Sequence, residues 1–224
     1  MKMGHTAAVE PTILSPGIRT FKPRRSRITP RQARALTSPG WHLLTSETLS
    51  KAWVSNRPVI LDIGFGSAGP VVELARHFPQ QTILAVDVHT PGIGDLVDRC
   101  STEDIGNVFI IEQDVLELIP RLPRAVAGVR SFFPDPWPKA RHHKRRLAQP
   151  RVLDAMATVV EPGGYWHLAT DWPEYAESMI ETFSTNSHWS GGMIDRPDWR
   201  PLTHFEKRGI REGRPIVDVW FTRN

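Results

Sequence analysis

The sequence predicts an α/β protein with a doubly wound, mostly parallel sheet and helices on both faces. Short apolar segments alternate with amphipathic helical segments along the chain, and a glycine-rich turn joins the first of these strands to a helix. The last strand-like segment, 216–221, follows a long loop instead of a helix. An antiparallel strand is therefore predicted near the C-terminus, because a parallel strand needs a long crossover, usually a helix.

The elements begin after a basic arm. Residues 1–30 combine Pro, Gly, Lys and Arg with little apolar periodicity, which predicts a flexible arm. Thr29-Pro30 is a helix-start signal. Residues 31–224 then form one predicted domain, since a chain of 224 residues has the length to bury one full core.

The alternation gives a definite order of elements. Strands are predicted at 59–61, 82–86, 107–111, 129–133 and 165–169, and helices at 32–36, 70–78, 148–160 and 173–187.

Charge is segregated along the chain although its net value is only +4. Residues 1–40 contain eight Lys/Arg against one acid, and residues 139–151 contain six Lys/Arg and no acid, so the remainder carries a charge of −9. An acidic body with two basic segments indicates a polyanionic partner bound at defined places. A solvated tail and a solvated loop are the alternative.

Several classes of protein are excluded on composition. No apolar run reaches about 18 residues and the N-terminus lacks a signal-peptide core, which predicts a cytoplasmic protein. Cys100 is the single cysteine, so no internal disulfide and no zinc site are expected.

The turn after the first strand resembles a cofactor loop. Gly64 and Gly66 lie in Gly-Phe-Gly-Ser-Ala-Gly, where glycines let the backbone turn sharply and approach a ligand closely. The hexapeptide alone is weak evidence, because such a turn can be glycine-rich for packing.

Acidic residues at three strand ends strengthen this interpretation. Asp62, Asp87 and Asp114 follow or end the first three strands, and carboxyl ends of parallel strands share one edge of the sheet. Asp87 lies about 20 residues past the glycines, where a carboxylate can accept both ribose hydroxyls. Each of the three is alternatively a helix cap or turn former.

This arrangement of glycines and acids can bind either S-adenosylmethionine or NAD, and Asp62 favours S-adenosylmethionine. A pyrophosphate prefers a positive dipole with no nearby anion. Asp62 stands two residues before the first glycine and suits a cationic amino acid group. Asp114 is then placed to accept the adenine amino group.

The most specific stretch is Phe-Phe-Pro-Asp-Pro-Trp-Pro-Lys at 132–139, followed by a His/Lys/Arg cluster. Two prolines fix φ around Asp135 and present its carboxylate rigidly at the end of the fourth strand. Here the sequence resembles the bacterial tRNA (guanine-N7-)-methyltransferase family, which belongs to the Rossmann-like class I methyltransferases and uses S-adenosylmethionine.

The resemblance covers roughly residues 19–221. Besides the motif around Asp135, it includes the glycine turn at 61–66, Asp-Val-His at 87–89 with Pro-Gly at 91–92, Thr-Asp-Trp at 170–172 and Thr-His-Phe-Glu-Lys-Arg-Gly at 203–209. The basic segment 19–32 also resembles the family's N-terminal segment. Two positions depart from the family pattern: Asp62 and Asp87 replace a common Glu, and Pro138 stands where His is common.

The resemblance implies the following roles. Asp62, Gly64, Gly66, Asp87, Asp114 and Asp135 bind the cofactor or line the catalytic pocket; Lys139, Asp171, Thr203 and Glu206 contact the substrate; and Arg141, His142, His143, Lys144, Arg145 and Arg146 contact tRNA. The variable-loop guanine as target is also what the resemblance implies.

The reaction needs no catalytic base, because N7 of guanine carries a lone pair and no proton. A carboxylate beside the base edge tolerates the positive charge that develops, and Asp135 is the predicted catalytic residue. Asp171 is the second candidate, although it precedes Trp-Pro-Glu and is also a good N-cap. The two histidines of the basic cluster have no metal-ligand spacing, and no metal is predicted.

Three other functions compete. An NAD-dependent oxidoreductase lacks a hydride-transfer His or Tyr constellation here, an inactive RNA-binding module has no need of Asp135, and a methyltransferase for small molecules leaves both basic segments unexplained. The sequence predicts no obligatory protein partner and does not separate a monomer from a homodimer.

Overall fold

Eight strands form one sheet in the part of the chain that the computed structural model describes, residues 19–22 and 27–224. The strands are β1 Leu43–Leu44, β2 Val59–Ile63, β3 Thr82–Asp87, β4 Val108–Glu112, β5 Val126–Phe132, β6 Val160–Thr170, β7 Trp189–Ile194 and β8 Val217–Arg223. Their order across the sheet is β1-β4-β3-β2-β5-β6-β8-β7. Strands β1 to β6 run parallel, and β8 lies antiparallel between β6 and β7.

Helices cover both faces. They are α1 Pro30–Thr37, α2 Ala68–His77, α3 Thr90–Thr102, α4 Val115–Leu118, α5 Pro150–Ala157, α6 Pro173–Ser184 and α7 His204–Arg211, with 3₁₀ helices at Leu49–Trp53, Ile119–Arg121 and Ala140–Arg145. The predicted fold class and the antiparallel strand near the C-terminus are confirmed.

Each face of the sheet has its own apolar core. On one face α2 and α3 pack against β3 and β4, and on the other α5 and α6 pack against β5, β6 and β8. The strands are apolar on both sides because the sheet is buried on both sides. In the described residues, no helix is long and apolar enough to span a membrane.

The chain reverses its direction of winding at β2. From β2 the sheet grows through β3 and β4 on one side and through β5 and β6 on the other. Ligands of doubly wound sheets bind outside the carboxyl ends of the strands at such a switch point. The glycine turn and the motif around Asp135 both follow strands that flank it.

The helix-start prediction at Thr29-Pro30 is confirmed. Thr29 caps α1 and forms a capping box with Gln32. Arg31 pairs with Asp95 and Asp98 of α3, which fixes α1 on the domain. Of the predicted arm 1–30, residues 1–18 and 23–26 lie outside the described residues.

Two predictions about elements were wrong. The segment before the last strand holds β7 and α7 instead of one long loop, and the helix predicted at 148–160 ends at Ala157 because Val160 already pairs with Val126. The sequence also gave no signal for α3. This helix contains Gly92 and Gly94, which disfavour helix formation, whereas its Pro91 lies in the first turn, where proline is tolerated.

Candidate active site

The glycine turn leaves open space above its backbone. Gly64 and Gly66 have φ of +70° and +64°, a left-handed conformation that glycine adopts without strain. A Cβ atom built on Gly64 would meet no atom within 4 Å. The Gly64 N–H donates to the Val86 carbonyl at 2.8 Å, so the turn is anchored on β3.

The start of α3 supports the same turn from below. A Cβ atom at Gly92 would lie 2.4 Å from the Gly66 carbonyl oxygen, a distance that forbids any side chain. Gly92 therefore lets α3 touch the turn directly. This is a physical reason for the Pro-Gly pair at 91–92.

Asp87 holds the turn in shape. One carboxylate oxygen accepts the Gly66 N–H at 2.7 Å, and the other accepts the N–H groups of Val88 and His89 at 2.7 and 2.9 Å. The side chain is 9% exposed at the end of β3. These three bonds fix the carboxylate at the crevice beside the glycines.

Asp62 is buried without a donor. Its side chain lies on β2 with 4% exposure, and no described residue donates a hydrogen bond to it. Burial raises the pKa of Asp62 to about 6, the charge of Arg130 lowers it, and the charge of Asp87 raises it. A cationic group placed at this carboxylate would relieve the cost of its burial.

Asp114 follows β4 at the same edge of the sheet. It caps α4 by accepting the Leu116 N–H at 3.0 Å, so the cap alternative holds for this residue. Burial raises its pKa, whereas the Leu116 N–H and the charge of Arg19 lower it. One carboxylate oxygen is free of this cap and available for a ligand.

Asp135 follows β5 between two strained residues. Phe133 and Trp137 have φ of +57° and +46°, a region that side-chain-bearing residues rarely adopt. The Asp135 carboxylate accepts the backbone N–H of Lys22 at 2.8 Å. It is thus presented at the switch point and already binds a peptide N–H donor.

The segment 19–22 contacts the loop around Asp135. The Thr20 carbonyl accepts the Trp137 indole N–H at 3.2 Å, and the Lys22 ammonium lies 5.2 Å from the centre of the Trp137 ring. The charge of Arg19 also lowers the pKa of Asp114. This part of the predicted arm therefore contacts the loop that follows β5.

The basic cluster forms the 3₁₀ helix Ala140–Arg145 next to Asp135. Lys139, Arg141 and Lys144 are exposed, and His142, His143 and Arg145 are half-buried. The Arg145 guanidinium lies 4.9 Å from the centre of the Trp137 ring. Partial burial and the neighbouring cations lower the pKa of His142.

Arg146 does not belong to this surface. Its side chain is 1% exposed, donates to the Pro136 carbonyl at 2.9 Å and pairs with Glu174 of α6. The Arg146 guanidinium also lies 4.7 Å from the centre of the Tyr175 ring. The predicted RNA contact does not fit a side chain that is buried against the Asp135 motif and supports it.

The predicted substrate residues near the C-terminus lie on α7 and not in a polar loop. Thr203 caps α7 by accepting the Glu206 N–H at 3.1 Å. Glu206 is 1% exposed and its two oxygens accept from Arg200 at 2.8 Å each, with a further bond from Arg196. The structure therefore places Glu206 in a buried ion cluster.

Asp171 follows β6 at the same sheet edge. It pairs with Arg214, with Nη2 to Oδ2 at 2.6 Å, and it does not cap α6, whose N-cap is Trp172. A Cβ atom at Gly209 would lie 2.9 Å from the Asp171 Cβ, so α7 packs directly on this residue. Asp171 thus joins α7 to the strand ends.

Buried arginines are what the sequence analysis missed. Arg130, Arg146 and Arg200 are each 1% exposed; Arg146 and Arg200 bind carbonyls or acids around the site, whereas Arg130 donates to the Gln81 side chain. An arginine within the apolar strand 129–133 is a visible signal for Arg130, whereas nothing in the sequence marks Arg200. A cavity of about 550 Å³ lies beside the site between α2 and the start of α7, lined by Ser67, Arg76, Leu202 and Lys207 among others.

The chain is similar to known methyltransferases in sequence and in fold. Residues 56–219 match the family model described as "Putative methyltransferase". The fold is similar to the crystal structure of the 16S rRNA methyltransferase KamB, with a TM-score of 0.57, 17% identity and coverage of 80% of this chain and 92% of that one. It is also similar to the aminoglycoside resistance methyltransferase NpmB1, with a TM-score of 0.58, 16% identity and coverage of 81% and 94%.

Curated relatives are much closer in sequence. The chain is 42% identical over 217 residues to the tRNA (guanine-N(7)-)-methyltransferase of Acidovorax sp. (strain JS42), covering 92% of this chain and 86% of that protein. It is 41% identical to the enzyme of the same name from Streptomyces coelicolor, covering 92% and 81%. With these acidic strand ends and this similarity along nearly its whole length, the chain belongs to the tRNA (guanine-N(7)-)-methyltransferase family.

Proposed function

We propose that this enzyme transfers the methyl group of S-adenosylmethionine to N7 of the variable-loop guanine of tRNA, in the cytoplasm. The observation that carries the proposal is the placement of Asp135. Its carboxylate stands at the switch point of the sheet, beside the glycine turn, and accepts an N–H group from Lys22. The N1 and N2 hydrogens of guanine are donors of the same kind.

The residues around the glycine turn fit S-adenosylmethionine. Asp62 is a buried carboxylate without a donor in the described residues and would accept the cationic amino group. The open space above Gly64 would hold the amino acid portion, and Asp87 would accept the ribose hydroxyls with the lone pairs that its three N–H bonds leave. Asp114 would accept the adenine amino group at the end of β4.

Bound S-adenosylmethionine supplies an electrophilic methyl group on sulfur. Because guanine N7 has a lone pair and no proton, the chain has to align the base and needs no group to remove a proton. Such alignment can contribute about 7–11 kcal/mol. Asp135 would hold the N1 and N2 edge of the guanine and stabilise the positive charge that the base acquires.

The other site residues would support that geometry. Arg146 and the two prolines fix the loop that carries Asp135. Lys139, Asp171 and Thr203 surround the same edge of the sheet and would contact the nucleotide. Glu206 would act there through α7, since its carboxylate is bound by Arg196 and Arg200.

The exposed basic residues fit tRNA phosphates. Arg141, Lys144 and Arg145 lie on a short helix that begins five residues after Asp135. Phosphate contacts at this distance would position the RNA without reading its sequence. A target base that leaves its stack would then lie beside Asp135.

The direct test is methylation of bulk tRNA with labelled S-adenosylmethionine, followed by mapping of the modified base. We expect 7-methylguanine in the variable loop. A transcript with adenine in place of that guanine is the matched control and should take no label. Label on another nucleotide, or label that persists in the control transcript, would contradict the proposal.

A further inference from the structure

Arg130 lies next to Asp62 on the neighbouring strand. Residues 62 and 130 are paired in the register of β2 and β5. Paired residues of adjacent parallel strands are about 4.8 Å apart and point their side chains to the same face. The two side chains therefore share one face of the sheet, although the Arg130 guanidinium donates to Gln81, just before β3, and forms no direct ion pair with Asp62.

Arg130 is buried with part of its hydrogen-bonding capacity unused. It is 1% exposed, and Nη2 donates to Gln81 Oε1 at 2.9 Å. The guanidinium lies 5.0 and 5.4 Å from the ring centres of Phe78 and Trp199. Neither Nε nor Nη1 has a hydrogen-bond partner in the described residues.

Such an arginine is costly to bury, and its contacts with Gln81 and two aromatic rings offset only part of its unmade hydrogen bonds. A buried cation with unmade hydrogen bonds costs free energy, and an apolar residue of the same volume is often neutral or more stable. An effect of its charge on a neighbouring group would explain its presence in an apolar strand. Asp62 is the acid paired with it across the sheet.

The charged and titratable groups that face Asp62 come from three strands. Arg130 of β5 lowers the pKa of Asp62, Asp87 of β3 raises it, and burial raises it most, to about 6. Tyr165 of β6 also interacts with Arg130: burial raises the pKa of Tyr165, and Arg130 lowers it. Arg130 is thus the one favourable charge among the described groups that act on Asp62.

We propose that Arg130 is a positioning residue for the cofactor, acting as a fixed internal counter-charge that keeps the Asp62 carboxylate ionised for the cationic amino group of S-adenosylmethionine. Arg130 itself is too buried to touch the ligand, so its action passes through Asp62. The inference rests on the proposed role of Asp62 in cofactor binding. It adds a residue that fixes the charge state of that site.

The test is the pH dependence of S-adenosylhomocysteine binding, measured by isothermal titration calorimetry between pH 5 and 8. The wild type should gain affinity as the pH rises through about 6, where Asp62 ionises. In Arg130→Met the midpoint should move up by about one to two pH units, which weakens binding about two- to tenfold at pH 7. Arg130→Lys should restore most of the wild-type midpoint, because it restores the charge.

Two further variants separate this role from a merely structural one. In Asp62→Asn the midpoint should disappear, and adding Arg130→Met to it should cause little further loss. Gln81→Ala removes a hydrogen-bond partner of Arg130 without touching Asp62, and should leave the midpoint in place. The melting temperature without ligand reports whether each variant is folded.

The possible outcomes are distinct. An Arg130→Met protein that keeps the wild-type midpoint, or that loses as much affinity in the Asp62→Asn background as alone, overturns the inference. An Asp62→Asn protein that binds as tightly as wild type overturns the role of Asp62. Absence of binding to the wild type contradicts the proposed function. If Arg130→Met does not fold, Arg130→Lys and Arg130→Gln are compared in the same way.

Discussion

Two carboxylates at neighbouring strand ends are held in opposite ways. Asp62 is buried and accepts no hydrogen bond from the described residues, whereas Asp135 is half-buried and accepts one from Lys22. The first arrangement suits a charged ligand group that replaces missing partners. The second suits a donor that exchanges with a peptide N–H.

Asp135→Asn should lose methyl transfer while keeping cofactor affinity. The substitution removes the charge that, on the proposed function, faces the guanine, and groups that stabilise transition-state charge contribute about 10²–10³ in kcat. Single-turnover rates with saturating tRNA measure this loss, and S-adenosylhomocysteine titration provides the control. Turnover near the wild-type rate would refute the catalytic assignment.

Asp62→Asn should stabilise the unliganded protein at neutral pH. The folded-state pKa of Asp62 is raised from 3.8 to about 6, so the buried charge costs nothing below pH 4 and its full amount above pH 6. A shift of this size corresponds to about 3 kcal/mol, and we expect a gain of about 1–3 kcal/mol at pH 7.

Urea denaturation of both proteins at pH 4.5 and pH 7 measures that gain. The difference in unfolding free energy should be small at pH 4.5 and largest at pH 7. The same variant should bind S-adenosylhomocysteine more weakly. Residues that serve function often lower the stability of the folded protein. If the wild type and Asp62→Asn had equal unfolding free energies at both pH values, the raised pKa of Asp62 would be contradicted.

The acids of the site were predictable from sequence, but their buried partners were not. Asp62, Asp87 and Asp135 end or follow strands, and parallel topology brings strand ends together whatever the details of packing. Arg200 lies in a connecting segment, and its ion pair with Asp218 depends on how α7 packs on β6 and β8. No local sequence pattern encodes that contact.

At the level of elements, the 3₁₀ helix Ala140–Arg145 separates basic residues with two different tasks. The side chains of Arg141 and Lys144 are exposed, whereas Arg146, just past the end of the helix, is buried against Pro136 and Glu174. A run of like charges in the sequence therefore contains both exposed residues and a buried residue that supports the loop around Asp135. Burial, which the run itself does not reveal, distinguishes them.

Replacing Arg141, Lys144 and Arg145 with Ala should weaken tRNA binding and flatten its salt dependence. Each lost phosphate contact removes about 0.7–0.9 from the slope of log affinity against log salt, so we expect a change of about two to three units. S-adenosylhomocysteine affinity should stay the same. If the slope of the salt titration did not change, these residues would be solvated surface residues that do not contact phosphate.

Arg146→Ala is the matched comparison in the same run. It leaves Glu174 without its partner and frees the Pro136 carbonyl, so it should lower the melting temperature and hardly change the salt slope. A large change in the salt slope with no loss of stability would instead indicate that Arg146 contacts RNA.

For the whole molecule, the order of elements was largely predictable from the sequence, but β7 and α7 were not. Strong apolar runs marked β2 to β6 and β8. Strand β7 is mostly exposed and contains two glycines, and α7 is polar, so neither has the periodicity that sequence reasoning needs. Strand β7 forms the outer edge of the sheet, and α7 packs on Asp171 at the end of β6.

Deletion of residues 1–27 should weaken tRNA binding without unfolding the domain. It removes basic residues and the contacts of Thr20 and Lys22 with the Asp135 motif, whereas the capping box of α1 begins at Thr29. The salt slope should fall by about one to two units and the melting temperature should change little. Deletion of residues 1–18 alone is the control that keeps the docked segment, and an unaltered slope in both would contradict a role in RNA binding.

The strand order also sets a sequence of events during synthesis. Strands β1 to β5 all lie before residue 133, so the half of the sheet that carries Asp62, Asp87 and Asp114 can pair while later residues are still on the ribosome. In the other half β6 can pair with β5, but β7 has no partner strand until β8 is made, because β8 lies between β6 and β7. A nascent chain would thus build the half with these three acids first, and stalled or truncated products that lack β8 would leave the backbone hydrogen-bonding groups at the edges of β6 and β7 unpaired.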